Sequence, residues 1–362
     1  MRKHLKFGIS LITSIAIIGS FSFNAFAVFE EPINQDNVNQ REISFSTDNY
    51  YGLSDVETGK RKLIESGHSE GFISTIPDET LSKIAASSEC LQTEKYMAEI
   101  NTDSDVVELI PTTEADYMSR IANYNFTSPS EISVVDESGT ILFEPENIST
   151  YSVNQNVDSG AVKVLTSFYA VQDAYYPSRF LVVSEFQWTT MPKYRGTDFF
   201  GITKDTLTSI IPGTFGSYYA FNRDRYWYYA TNTGVVANFM ETQTFQYDNL
   251  ANEDASNPAK GFAFKVSVPS DILPPVQMLV GSSANAYYNY LLTGGCYFEG
   301  VVSQPTLTTN FNLWTTYLHQ NKTIWFHSPT VYFPLSGSIT IDPVENYSDP
   351  VVDAIMATWR VS

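Results

Sequence analysis

The stretch Phe180-Leu181-Val182-Val183-Ser184-Glu185-Phe186-Gln187-Trp188 decides how this chain folds. If it is a strand, one face carries four large apolar side chains, those of Phe180, Val182, Phe186 and Trp188. The other face ends in Glu185 and Gln187, because successive side chains of a strand point to opposite faces. This pattern is typical of a half-buried strand in an antiparallel sheet.

The chain around this stretch is predicted to form short strands separated by turn residues. Segments rich in Val, Thr, Phe and Tyr recur at 161–171, 225–231, 235–240, 261–268 and 330–335. For 283–292 we predict a strand, although its apolar spacing also suits a helix. Residues 232–234 and 293–295 are predicted tight turns. We therefore predict a mainly antiparallel β-sandwich over residues 161–362, in preference to a barrel.

The preceding residues, 55–160, are predicted to be an acidic helical unit with a possible β-hairpin and a linker. Helical patterns begin at Asp55, after Ser69 and at Pro77, and a further one covers 93–100. Residues 136–139 are a predicted hairpin turn. The fold class is thus α+β, a small N-terminal helical unit followed by the sandwich.

Charge and aromatic content both change near residue 160. Residues 28–160 hold 25 Asp and Glu against 7 Lys and Arg, whereas residues 161–362 hold 15 against 11. Of the 52 aromatic residues, 37 lie after residue 160, including all five tryptophans. A net charge of -19 repels phosphate groups, so nucleic acid is not an expected partner.

The first 27 residues predict where the protein works. A basic start, a largely apolar run and the small residues Ala25 and Ala27 are the pattern of a secretory signal peptide. We predict cleavage before Val28, a disordered leader over 28–54, no transmembrane anchor, and a secreted, extracellular protein.

The inventory of reactive side chains predicts no catalytic site. Glu185 and Glu299, or Cys296 with His319, are candidate groups for a hydrolase, but each fits an ordinary structural role. Cys90 and Cys296 are either separate thiols or a disulfide pair. His319 and His327 lack a clear third ligand, so we predict no metal and no cofactor.

Two features have the character of a ligand site. Arg195 and Asp198 follow a strand closely together, and they either tie down a loop or contact a ligand. Tyr219, Trp227 and Tyr229 belong to an aromatic hairpin whose predicted turn is 222–225. These rings are either core or an exposed platform that stacks on sugar faces or protein partners.

The sequence therefore favours a secreted non-catalytic binding protein, with a possible glycan or protein at a cell surface as its ligand. The sequence leaves enzymatic activity open, and we favour the interpretation that the protein has none. The alternatives are a secreted hydrolase of unrecognised type and a membrane-active or self-assembling protein.

Overall fold

The computed structural model describes the chain in segments. They are residues 39–45, 56–87, 90–92, 96–101, 107–111, 128–145, 159–171, 178–192, 195–248, 255–257, 260–302, 308–320, 330–332, 340–342, 347 and 351–360. The predicted signal peptide, most of the predicted leader and His327 lie outside these segments.

Strands dominate the described chain. They are Asn39–Phe45 (β1), Cys90–Gln92 (β2), Tyr96–Asn101 (β3), Val107–Pro111 (β4), Ser133–Val135 (β5), Ile141–Phe143 (β6), Ser159–Ala170 (β7), Arg179–Thr190 (β8), Thr197–Lys204 (β9), Thr208–Ile210 (β10), Gly216–Thr231 (β11), Gly234–Asp248 (β12), Ala255–Asn257 (β13), Gly261–Ser267 (β14), Gln277–Leu279 (β15), Ser283–Val302 (β16), Thr308–Leu318 (β17), Thr330–Tyr332 (β18), Thr340–Asp342 (β19) and Val351–Arg360 (β20). The helices are Val56–Glu65 (α1), Glu70–Ile73 (α2) and Asp78–Ala86 (α3).

Two sheets form the predicted sandwich. A six-stranded sheet has the order β1-β20-β17-β9-β14-β13, and a nine-stranded sheet runs β12-β11-β16-β8-β7-β3-β4 with β10 and β2 alongside. Within these two sheets, neighbouring strands are antiparallel except β1 with β20. The fold is α+β, as the sequence predicts.

The sandwich core consists largely of aromatic rings. Phe186 of β8 packs against Phe200 of the facing sheet, with ring centroids 4.9 Å apart, and Phe180 packs against Phe311 at 5.3 Å. Each fully buried ring contributes roughly 1.5–3 kcal/mol of transfer free energy. The apolar face predicted for 180–188 is thus confirmed as the inner face of the sandwich.

The other face of β8 is also buried, so the prediction of a half-buried strand was wrong. Leu181 and Val183 lie in a second cluster with Leu63, Phe72 and Leu81 of the helices. The helices cover the outer face of the nine-stranded sheet, and only Gln187 and the two end residues of β8 are partly exposed. The predicted boundary near residue 160 therefore separates segments that share a core.

The three helices begin and end close to the predicted positions. Gly67 follows α1 with φ 87°, a left-handed conformation that favours glycine and ends the helix. Ser69 caps α2 by accepting a hydrogen bond from the Phe72 N–H at 3.2 Å. Pro77 precedes α3, and Asp78 and Glu79 occupy its first turn.

Three local predictions differ from the structure. The predicted helix at 93–100 contains β3, because its residues pair with β7 and β4. Residues 39–45, within the predicted leader, form β1 and pair with β20. Residues 293–295 lie inside β16: a Cβ on Gly294 would lie 2.6 Å from the Phe186 ring, so the glycines admit close aromatic packing rather than a turn.

Two other local predictions are confirmed. Residues 283–292 are strand, and the hairpin of β5 and β6 turns through 136–139. None of the helices in the described part of the chain is both long enough and apolar enough to cross a membrane.

Candidate functional site

The aromatic stretch 218–229 belongs to one long strand, not to a hairpin with a turn at 222–225. β11 runs unbroken for 16 residues and turns at 232–233 into the 15-residue β12. The polar residues 222–225 are held by neighbours on both sides: Thr244 Oγ1 donates to Asn222 Oδ1, and Arg223 Nε donates to Asn289 Oδ1 at 2.8 Å. These hydrogen bonds satisfy the polar side chains of the predicted turn within the sheet.

Alternation along β11 divides its side chains between two faces. Tyr226 and Tyr228 point to one face. There Tyr228 packs with Ile132 and with Val134 and Met278 of the small sheet formed by β5, β6 and β15. The opposite face begins with Tyr219 and Phe221, which belong to the sandwich core. Tyr219 is only 7% exposed and stacks on Tyr247, so this candidate ligand residue is a core residue.

Beyond Phe221 lies the part of this face whose side chains no longer belong to the sandwich core. We call it the distal face and define it by Arg223, Arg225, Trp227 and Tyr229 of β11, Val236 and Asn238 of β12, and Asn285 of β16. The register pairs Tyr229 with Val236 and Trp227 with both Asn238 and Asn285, so these side chains share one side of the sheet.

Trp227 and Tyr229 form an accessible aromatic pair on the distal face. Their ring centroids lie 5.5 Å apart with an interplanar angle of 16°. Tyr229 is 37% exposed and Trp227 is half-buried. The indole N–H and the phenol O–H make no hydrogen bond to any described residue, so both are available to a ligand. The two nearly parallel rings thus offer accessible aromatic surface with an N–H and an O–H group beside it.

Hydrogen-bonding groups lie beside this pair. Arg225 donates from Nε and Nη2 to Asn285 Oδ1, each at 3.2 Å, and its Nη1 lies 3.5 Å from Glu241. Asn285 and Asn238 are exposed. An aromatic platform edged by amide and guanidinium groups is suited to a ligand with an apolar face and hydroxyl groups at its rim.

Arg195 and Asp198 do not pair with each other. Arg195 forms an ion pair with Asp271 and donates to Pro269 O at 2.9 Å. Asp198 is fully buried: it accepts hydrogen bonds from Tyr317 Oη and from His319 Nδ1, the latter at 2.9 Å. Asp198 therefore belongs to the polar core of the sandwich, and the structure places no ligand surface next to it.

Arg195 is nevertheless linked to the distal face. Asp271 accepts a hydrogen bond from the Asn289 N–H at 2.7 Å, and Asn289 Oδ1 accepts one from Arg223 Nε. The loop with Arg195 thus helps to fix Arg223. Arg223 and Arg225 were missed in the sequence because residues 222–225 resemble a turn; the signal was that alternation continues through them. Asn285 was missed because it lies on β16, outside the predicted aromatic hairpin.

The candidate hydrolase groups are not brought together. Glu299 lies in an ion cluster with Lys83 and Arg179, Glu185 contacts His68, and His319 contacts Asp198. Burial raises the pKa of the Cys296 thiol well above its usual value, which opposes a nucleophilic role.

The two cysteines are also too far apart for a disulfide. Cys296 is free and buried on β16, while Cys90 lies on β2. The order β16-β8-β7-β2 separates them by three strand spacings, about 14 Å, and a disulfide needs Cα atoms within about 7 Å.

Three buried side chains are arranged like the serine, histidine and acid of a catalytic triad. Ser167 Oγ lies 2.9 Å from His68 Nε2, and His68 Nδ1 lies 3.1 Å from Glu185 Oε2. The residues are distant in sequence, so no motif reveals them. Ser167 has 0% exposure and lies beneath the helices, whereas a nucleophile must meet its substrate. We assign the arrangement to anchoring the helices.

Metal binding finds no support in the described residues, which contain no group of three His, Cys, Asp or Glu side chains suited to a metal ion. His327 lies outside these residues.

Comparison with known proteins adds little. No family model matches the chain, and no curated protein matches it. Among solved structures, Clostridium perfringens delta-toxin is similar to 56% of this chain and 85% of its own, with 6% sequence identity and a TM-score of 0.21. Similarity at that TM-score supports no conclusion about fold or function.

Proposed function

We propose that this protein is a non-catalytic binding protein whose distal face binds a glycan. The observation that carries the proposal is the stacked, accessible pair Trp227 and Tyr229, edged by Arg225, Asn238 and Asn285. Sugar rings present apolar C–H faces and a rim of hydroxyl groups, so they match accessible aromatic rings bordered by amides and a guanidinium.

The distal face is also held in place before any ligand arrives. Behind Trp227 and Tyr229, the side chains of Tyr228 and Tyr288 are buried with their hydroxyl oxygens 3.1 Å apart, and the small sheet covers them. A rigid platform lowers the entropy cost of binding. Export, indicated by residues 1–27, would place this platform outside the cell, where glycans are abundant.

The direct test is a glycan array probed with the purified, labelled protein and two single variants. Trp227→Ala removes half of the stacking pair. Phe239→Ala is the matched control, because Phe239 is an exposed ring on the opposite face of the same hairpin, where it packs edge-on against Tyr226.

We expect wild type and Phe239→Ala to bind the same glycans and Trp227→Ala to lose at least about 10-fold in affinity, which is about 1.4 kcal/mol. Equal binding by all three proteins would contradict the proposal. So would binding to lipid vesicles but to no glycan, which would favour a membrane-active protein instead.

A further inference from the structure

Arg223 is held on the distal face in one orientation. Its Nε donates to Asn289 Oδ1 at 2.8 Å, and its guanidinium carbon lies 4.6 Å from the centroid of the Phe245 ring. Phe221 and Tyr287 flank it at 5.6 and 5.8 Å. The side chain therefore loses little further freedom when a ligand binds.

The charge of Arg223 is not neutralised by a described carboxylate. The two other arginines of this region are paired, Arg195 with Asp271 and Arg225 with Glu241. Arg223 has only Asn289 and aromatic rings as described partners. Its two terminal nitrogens make no hydrogen bond to any described residue and so are free for a ligand.

A fixed guanidinium with two free nitrogens is a receptor for a planar or tetrahedral anion. Carboxylate and sulfate oxygens accept two parallel N–H bonds from an arginine, and such charge-assisted pairs are stronger than neutral hydrogen bonds. Stacking on Phe245 also shields the cation from water, which strengthens its attraction for an anion.

We propose that the glycan bound by the distal face is anionic, with a carboxylate or sulfate group that binds Arg223. This inference rests on the proposed glycan-binding function. Arg223 and Trp227 are four residues apart on β11, about 13 Å at 3.3 Å per residue. One sugar stacks on the aromatic pair and a different sugar of the same oligosaccharide carries the anion.

The chain's net charge of -19 does not oppose this reading at short range. At physiological ionic strength charges are screened beyond about 8 Å, so an anion that reaches the distal face is governed mainly by the groups there. The positive charge of Arg223 is the uncompensated charge among the described groups of that face.

The test measures affinities for one oligosaccharide backbone in three forms: neutral, carboxylated and sulfated. The proteins are wild type, Arg223→Gln, Arg223→Lys and the control Arg61→Gln, which removes an exposed arginine from α1. Thermal unfolding of each variant checks that it is folded. Phosphatidylcholine vesicles with added phosphatidylserine test whether any acidic surface suffices.

We expect wild type and Arg61→Gln to bind one charged form at least 10-fold more tightly than the neutral form, and the preferred form identifies the anion. Arg223→Gln should bind the charged form no better than the neutral one. Arg223→Lys keeps the positive charge but lacks the two parallel N–H donors of the guanidinium, so it should recover only part of the preference for the charged form.

Equal wild-type affinity for all three forms would overturn the anionic ligand while leaving glycan binding intact, and this comparison needs no variant to fold. An undiminished preference in Arg223→Gln would also overturn it. Binding to the acidic vesicles that depends on Arg223 would assign the site to a membrane surface. Failure of Trp227→Ala to affect binding would instead refute the proposed function itself.

Discussion

Replacing Glu185 with Ala tests whether the buried polar contact with His68 anchors the helices to the sheet. Glu185 is 4% exposed and accepts three hydrogen bonds: from His68 at 3.1 Å, from the Ser69 N–H at 2.9 Å and from Thr293 Oγ1 at 3.1 Å. The substitution removes the acceptor of the buried His68 donor and of the part-buried Ser69 N–H, whereas Thr293 Oγ1 keeps the Phe186 carbonyl oxygen as an acceptor at 3.2 Å. Each such donor costs about 1–3 kcal/mol, and breaking a buried pair costs about 3–5 kcal/mol.

We therefore expect Glu185→Ala to lower the free energy of unfolding by about 3–5 kcal/mol at pH 7. The assay is urea unfolding followed by tryptophan fluorescence. Glu185→Ala, His68→Ala and the double variant form a double-mutant cycle, in which the coupling energy should be about 1–3 kcal/mol. As a control, the exposed pair Glu57 and Lys60 should give a coupling below about 0.5 kcal/mol.

The same contact has a pH signature. Burial acts to raise the pKa of Glu185, but the hydrogen bonds and charge of His68 and the bond from Ser69 outweigh it and hold this pKa below its usual value. The carboxylate thus stabilises the fold fully above the unfolded pKa of about 4.3, and the contribution is lost as pH falls through the folded pKa. The cost of Glu185→Ala should therefore shrink below pH 4. A cost under about 1 kcal/mol at pH 7, or additive single effects, would refute this reasoning.

Two further predictions concern packing. Gly59→Ala would place a Cβ 2.0 Å from the Leu81 carbonyl oxygen, so α1 and α3 must separate. Urea unfolding should show that this variant loses about 1–3 kcal/mol of unfolding free energy, whereas the control Glu57→Ala does not. Equal stability of the two variants would argue against the close contact. In a Cys90→Ser variant, Cys296 should react with a thiol reagent only after unfolding, because burial raises its pKa; rapid labelling of the folded protein would contradict its placement in the core.

Much of the fold is predictable because local patterns and tertiary packing agree in most places. The caps at Ser69 and Pro77 and the turn at 136–139 mark elements that the structure contains. The errors occur where packing overrides local preference. Gly294 and Gly295 resemble a turn but admit the rings of Phe186 and Phe72, and the polar run 222–225 is held inside β11 by cross-strand partners.

The candidate site was predictable in part. The aromatic content of β11 points to Trp227 and Tyr229, but alternation alone does not say which face a second layer will cover. Tyr219 and Trp227 lie on the same face of one strand, and only the extent of the facing sheet makes one core and the other accessible. Alternation places Arg223 on the same face as Trp227, but its fixed orientation depends on Asn289, 66 residues further along the chain, and local sequence does not reveal that contact.

The distal face exists because the two sheets differ in length. β11 has 16 residues and β16 has 20, whereas β9 and β14 of the facing sheet have 8 and 7. At 3.3 Å per residue β11 spans about 53 Å and β9 about 26 Å, and of the β11 side chains only Tyr219 and Phe221 belong to the buried sandwich core. The small sheet packs against the other side of β11 beyond Phe221. A binding surface that arises from a difference in strand length needs no sequence motif. Its sign in the sequence is that aromatic and arginine side chains alternate along β11 on the same side as the core residues Tyr219 and Phe221.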